Sequence, residues 1–320
     1  MPLMALSLPG NVHAVYEEFN NIANLDFIPK DQIYEKIFGK PLPKASSGEI
    51  KDYMLQRAGY AADNLFQSIF LVIFAFIGIV LLIGSVILIH KKCFHRLPRK
   101  YKKHFISIKN KLMFNSILRS LLQSYLSLCV SCIVSITMSE NVASTATGYT
   151  LLAFLILSPL LVICILKCQK YPLGHPRMKD TIGTLYLNVD TVGKPTALLF
   201  TPLFLARRLL FAAVAVTIKN PTIQVFATIY ASLGLITFYV VVWPMTDTIN
   251  NIMQLSNEVF FLGCFHFALV FTDYTPDPEQ RHNIGFVYLG YAALVITANI
   301  VLIGHTIYKQ CKQYYLKRKS

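Results

Sequence analysis

From Phe66 to Ile89 the chain carries no charged side chain, and the run is long enough to cross a bilayer as a helix. A hydrocarbon core about 30 Å thick needs about 20 largely apolar residues. A segment inside it must satisfy its own backbone polar groups, which leaves only helices and closed barrels. Further apolar runs follow at Ile117–Met138, Thr150–Leu166, Leu198–Ile218, Ile223–Trp243, Asn250–Phe271 and Ile284–Tyr308. The sequence therefore predicts an all-α polytopic membrane helix bundle with about seven transmembrane helices. Only 14% of the 320 residues are charged, against about 25% in a soluble domain, so a soluble globular class is excluded.

The net charge of +14 would point to nucleic acid in a soluble protein. Here its distribution reads as topology. Lys91–Ser116 contains Lys91, Lys92, Arg96, Arg99, Lys100, Lys102, Lys103, Lys109 and Lys111 and no acid. Lys167–Thr196 and Lys309–Ser320 are also basic, whereas Glu140, Asp273, Asp277 and Glu279 fall in the alternate loops. By the positive-inside rule the basic segments are cytoplasmic. This orientation places residues 1–65 outside as a helical lead-in, residues 66–308 in the membrane domain and residues 309–320 in a basic cytoplasmic tail. No nucleic-acid partner is expected. The partners are the bilayer and, at Lys91, Lys92, Arg96, Arg99, Lys100, Lys102 and Lys103, anionic lipids at about 1 kcal/mol per basic residue near the surface. A pure topology anchor explains the same block.

The lead-in reads as short amphipathic helices at Asn11–Leu25 and Asp31–Phe38, broken by Pro41, Pro43 and Gly48. It begins without a basic n-region or a useful h-region, so no signal peptide is expected. The chain reads either as the end of a longer product or as one in which Phe66–Ile89 serves as a signal-anchor. Ser139–Gly148, Lys219–Pro221 and Asp273–Asn283 read as outer loops, and Pro159 as a kink. Gly183–Tyr186 reads as a turn followed by an interfacial helix or an extended piece.

Chemistry-bearing groups inside the membrane are few. Arg207 and Arg208 lie about nine residues into their run and Glu258 about eight residues past Asn250, so at about 1.5 Å per residue both sit at similar depth in the inner leaflet. A buried cation is costly unless paired or wetted. The arginines either form a charge cluster with Glu258 or snorkel to the inner surface. Asp247, Asn250, Asn251, Gln254 and Glu258, at i, i+3, i+4, i+7 and i+11, share one helix face, with Asn257 beside it. That stripe reads as a polar pathway, as helix packing, or as a solvated face if Asp247–Gln254 lies outside the bilayer. His266 and Asn299 read as packing residues.

Seven cysteines form no disulfide framework. Cys129, Cys132, Cys164 and Cys264 lie within apolar runs as small hydrophobes, while Cys93, Cys168 and Cys311 have the juxtamembrane setting of palmitoylation. The sequence has no GxxxxGK[ST], HExxH or GxSxG motif and no zinc-spaced pair of CxxC motifs. No catalytic residue, metal site or cofactor is expected, and the protein is not expected to be an enzyme.

Four short stretches occur in order: Gly183-Thr184-Leu185-Tyr186, Leu203-Phe204-Leu205-Ala206-Arg207-Arg208-Leu209-Leu210-Phe211, Trp243-Pro244-Met245 and Asn257-Glu258-Val259-Phe260-Phe261. With Phe271-Thr272-Asp273 and Arg281…Gly285-Phe286, and with Leu8-Pro9-Gly10-Asn11-Val12 and Gly59-Tyr60…Asn64-Leu65 upstream, the chain resembles the TRP-like transmembrane family of microbial eukaryotes. That family includes the membrane regions of large cysteine-rich surface proteins. The resemblance implies a plasma-membrane protein with an ion-channel or channel-regulating role and an ectodomain and helices upstream. Asp273–Asn283 is too short for a pore helix and selectivity filter, so any ion route runs within a helix bundle, in one chain or in a homo-oligomer. The alternatives are a non-conducting receptor or sensor that relays an ectodomain signal to a cytoplasmic partner, and a structural or lipid-handling membrane protein.

Overall fold

A computed structural model describes residues 6, 8–23, 77–78, 80–81, 84–85, 88, 115–138, 142–168, 173–186, 188–191, 193–275 and 277–319. Among these residues the chain is all-α, with a single isolated two-residue bridge and no strand. Among the described residues six helices are long and apolar enough to cross a membrane, so the chain is a multi-pass membrane protein. Most of Phe66–Ile89, the basic block Lys91–Lys103 and the expected helix at Asp31–Phe38 lie outside the described residues.

The chain divides into two compact units. One unit holds α2 (Ile117–Met138), α3 (Val142–Lys167), the short α4 (Pro176–Ile182), two 3-10 turns (Gly183–Tyr186 and Pro195–Leu199) and α5 (Phe200–Thr217). In it α2, α3 and α5 pack pairwise. Every residue from Leu128 to Ser135 on α2 is buried. On α3 the buried residues Ser144, Gly148, Leu155, Val162 and Leu166 repeat at helical spacing, while Phe154, Leu157 and Leu160 stay exposed, as lipid-facing residues should.

Helix α3 corrects one boundary. Ser139–Gly148 was expected as a loop, but the helix already begins at Val142. Its polar residues are absorbed by local and interhelical bonds. Thr147 Oγ1 donates to the carbonyl of Ala143 (3.0 Å), Thr150 Oγ1 to that of Thr147 (2.9 Å), and Ser144 Oγ bonds Ser135 Oγ on α2 (2.8 Å). A Cβ on Gly148 would lie 3.1 Å from Ile136 Cγ1 and 3.4 Å from the Cys132 carbonyl, so the missing side chain lets the helices close up.

The other unit holds α1 (Gly10–Ala23), nearly all of α6 (Pro221–Val242), then α7 (Thr248–Leu269), a π turn (Val270–Tyr274) and α8 (Pro278–Lys319). Helix α1 agrees with the amphipathic reading of Asn11–Leu25. Asn220 caps α6 by accepting from the Thr222 N–H (2.9 Å), with Pro221 at the first helical position, a favoured start. Asp277 and Pro278 repeat the device on α8, where the Glu279 N–H donates to Asp277 Oδ1 (3.0 Å). The expected loop Asp273–Asn283 is therefore shorter, and the expected tail Lys309–Ser320 continues α8 as far as Lys319.

Candidate functional site

Pro159 has no N–H, so within α3 the carbonyl of Leu155 loses its usual donor. Tyr125 on α2 supplies one: its hydroxyl donates to the Leu155 carbonyl (2.8 Å), and Ser158 Oγ donates to the same oxygen (2.7 Å). The proline flagged in the sequence thus becomes an interhelical bond. Arg208 is tied to α2 in a similar way. Its Nη1 donates to the carbonyls of Leu122 (2.6 Å) and Gln123 (3.3 Å), and its guanidinium carbon sits 4.1 Å from the ring centre of Phe204, one turn earlier on α5. Helix carbonyls keep a second lone pair, and an arginine fork fits it without breaking α2. Arg207 is half-buried on the same helix.

At one end of these helices lies a cavity of about 730 Å³. Its floor is organised by Asn115, immediately before α2. Asn115 Nδ2 donates to the carbonyls of Lys179 (3.1 Å) and Asp180 (3.2 Å) on α4, and its Oδ1 accepts from the Thr184 N–H (3.1 Å) and hydroxyl (3.0 Å). The Tyr186 hydroxyl donates to the Leu173 carbonyl (2.8 Å). Burial pushes the Tyr186 phenol up, which keeps it a neutral donor. Thr201 on α5 donates to the Leu185 carbonyl (2.5 Å). These bonds fold Gly183–Tyr186 as a 3-10 turn, the helical one of the two expected forms.

The last wall is an antiparallel bridge between Val189 and Met245. The Asp190 N–H donates to the Pro244 carbonyl and the Thr246 N–H to the Asn188 carbonyl, both at 2.8 Å. Asn188 and Trp243 adopt positive φ, 62° and 51°, to make this corner. Lys194 Nζ donates to the Val242 carbonyl (2.7 Å), capping the end of α6 with a cation. Ser116, Arg119, Lys179, Asp180 and Thr191 also line the cavity. Sequence reading singled out Gly183–Tyr186 but missed the cavity, because Asn115, Lys179 and Thr246 meet only once the chain has folded.

In the other unit α7 buries Asn251 and Glu258 along with Phe265 and Ala268. Asn251 and Glu258, two turns apart, are 2% and 6% exposed, whereas Ile252 and Val259 are each 48% exposed. Asn250, Gln254 and Asn257 are half-buried and Asp247 is exposed. The expected stripe is thus buried at Asn251 and Glu258 and reaches solvent at Asp247. Glu258 and the arginines belong to different units; Arg208's described partners are the α2 carbonyls and Phe204. His266 Nδ1 bonds the Leu262 carbonyl (2.7 Å) and Asn299 Nδ2 donates to the Val295 carbonyl (3.0 Å), local bonds that fit the packing reading.

The turn between α7 and α8 is closed by Arg281, which donates to the carbonyls of Thr275 and Thr272 beyond α7. Helix α1 docks beside it. Asn11 Nδ2 donates to the His282 carbonyl (3.1 Å), and Val12, Phe271 and Tyr288 form a buried core. Tyr16 and Tyr288 share a short hydroxyl–hydroxyl bond. A Cβ on Gly285 would lie 2.6 Å from Asn11 Oδ1, so glycine permits this approach.

The fold and these sites define the class: an all-α multi-pass membrane protein with a polar seam in one unit and a polar cavity in the other. No family model matches the chain, and neither a curated protein nor a solved structure matches it.

Proposed function

We propose that this membrane protein conducts ions or gates their passage, with the polar face of α7 as the route. The observation that carries the reading is Glu258, a carboxylate 6% exposed within a membrane-length helix whose Val259 side is open. Ionisable groups are costly in a bilayer and mark ion or proton paths when they face the protein interior. Asn251 and Gln254 extend the same face. The resemblance to TRP-like proteins points the same way and supplies the plasma membrane as the expected location. The route runs within a helix bundle rather than through a filter.

The test is cation flux into liposomes reconstituted with the full chain. Wild type passes cations, and Glu258→Gln reduces flux about tenfold, the rate equivalent of about 1.4 kcal/mol. Val259→Ala, on the exposed side, leaves flux unchanged. Absence of flux from wild-type protein contradicts the reading.

A further inference from the structure

The cavity beside Asn115 is independent of the conduction reading. Asn115–Arg119 opens α2, Leu173–Thr191 joins α3 to α5, and Thr246 follows α6. In a chain that crosses the bilayer at each span, all three segments emerge on one side. The surplus of basic residues in Lys167–Thr196 assigns that side to the cytoplasm. The volume of about 730 Å³ falls within the roughly 300–1,000 Å³ of small-molecule sites.

We propose that this cavity binds a phosphate-bearing headgroup at the cytoplasmic membrane surface. Arg119 and Lys179 line it from two different elements, α2 and α4, and both are exposed. Such an arrangement takes an anion with several acceptor oxygens. The hydroxyls of Ser116 and Thr191 line the same space. Asp180 is the one carboxylate there among the described residues; it disfavours a bare multivalent anion and accepts from a headgroup that carries its own hydroxyl or ammonium donors. The shared chemistry is a phosphate ester on a donor-bearing group, as in a phosphoinositide or its soluble inositol phosphate. The Asn115 bonds hold Lys179 and Asp180 in place before the ligand arrives, which lowers the ordering cost of binding.

Native mass spectrometry of the full chain in detergent tests this. The probes are short-chain phosphatidylinositol phosphate, short-chain phosphatidylcholine and soluble inositol phosphate. The expected result is saturable one-to-one binding of phosphatidylinositol phosphate and none of phosphatidylcholine. Arg119→Gln and Lys179→Gln each weaken it about fivefold, the weight of one basic residue beside an anionic headgroup. Lys309→Gln, at the end of the last span, changes nothing. Equal binding of soluble inositol phosphate supports the site and names the soluble compound as its source. Circular dichroism of each variant checks that it folds, and Lys179→Gln, on the surface of α4, serves if Arg119→Gln does not. Equal loss in Lys179→Gln and Lys309→Gln, or binding that never saturates, overturns the proposal in favour of diffuse attraction.

Discussion

Asn188 and Trp243 hold left-handed backbone conformations at the corner where two connecting segments meet. Asn tolerates this region and β-branched residues do not. Asn188→Gly is expected to leave stability nearly unchanged and Asn188→Val to lower it by about 1–2 kcal/mol, read from thermal unfolding in detergent. Ser131 Oγ is buried on α2 with no hydrogen-bond partner among the described residues. A buried, unsatisfied hydroxyl costs about 1–3 kcal/mol, so Ser131→Ala is expected to raise the unfolding temperature. Part of this scale was readable beforehand. Pro159 within an apolar run announces a carbonyl in need of a donor, but nothing in the chain says that Tyr125, across a helix interface, supplies it. Arg208 shows the same limit: its cost was legible, whereas its hydrogen-bond partners are backbone carbonyls that no side-chain pattern reveals.

Helix boundaries followed the apolar runs where capping residues agreed with them and drifted where polar residues were absorbed. Ile117–Met138 came out as expected, whereas α3 starts earlier because its serines and threonines bond helix carbonyls and α2. Gly148→Leu is expected to destabilise the α2–α3 contact by about 1–3 kcal/mol through overpacking, again measured by unfolding in detergent. The docking of α1 on α8 carries a pH signature. Burial raises the Tyr16 phenol from 10.0 to about 12. A raised phenol means that the fold favours the neutral form, so this contribution is complete below pH 10 and is lost as pH climbs through about 12. Phenolate absorbance should show one fewer late-titrating tyrosine in Tyr16→Phe than in the wild type. Helix α8, at 42 residues and about 1.5 Å per residue, is about twice as long as the hydrocarbon core is thick. Its basic end therefore extends from the membrane as a helix rather than as a loose tail.

At the scale of the whole chain, hydropathy revealed the membrane class and six of the spans, because desolvating a backbone leaves so few solutions. It also marked the α7 stripe, since a helix with a fixed periodicity turns a spacing into a face. The cavity was not legible, since it is assembled from three connections far apart in sequence. The central claim is that α7 turns its polar side to an aqueous route and its apolar side to lipid. The direct measurement is thiol accessibility in reconstituted liposomes, on a background with the native cysteines replaced and flux retained. Under flux, cysteines at Asn251 and Gln254 should react with a membrane-impermeant reagent, and cysteines at Ile252 and Val259 should not. Reaction confined to Ile252 and Val259, or none at any of the four, would contradict it.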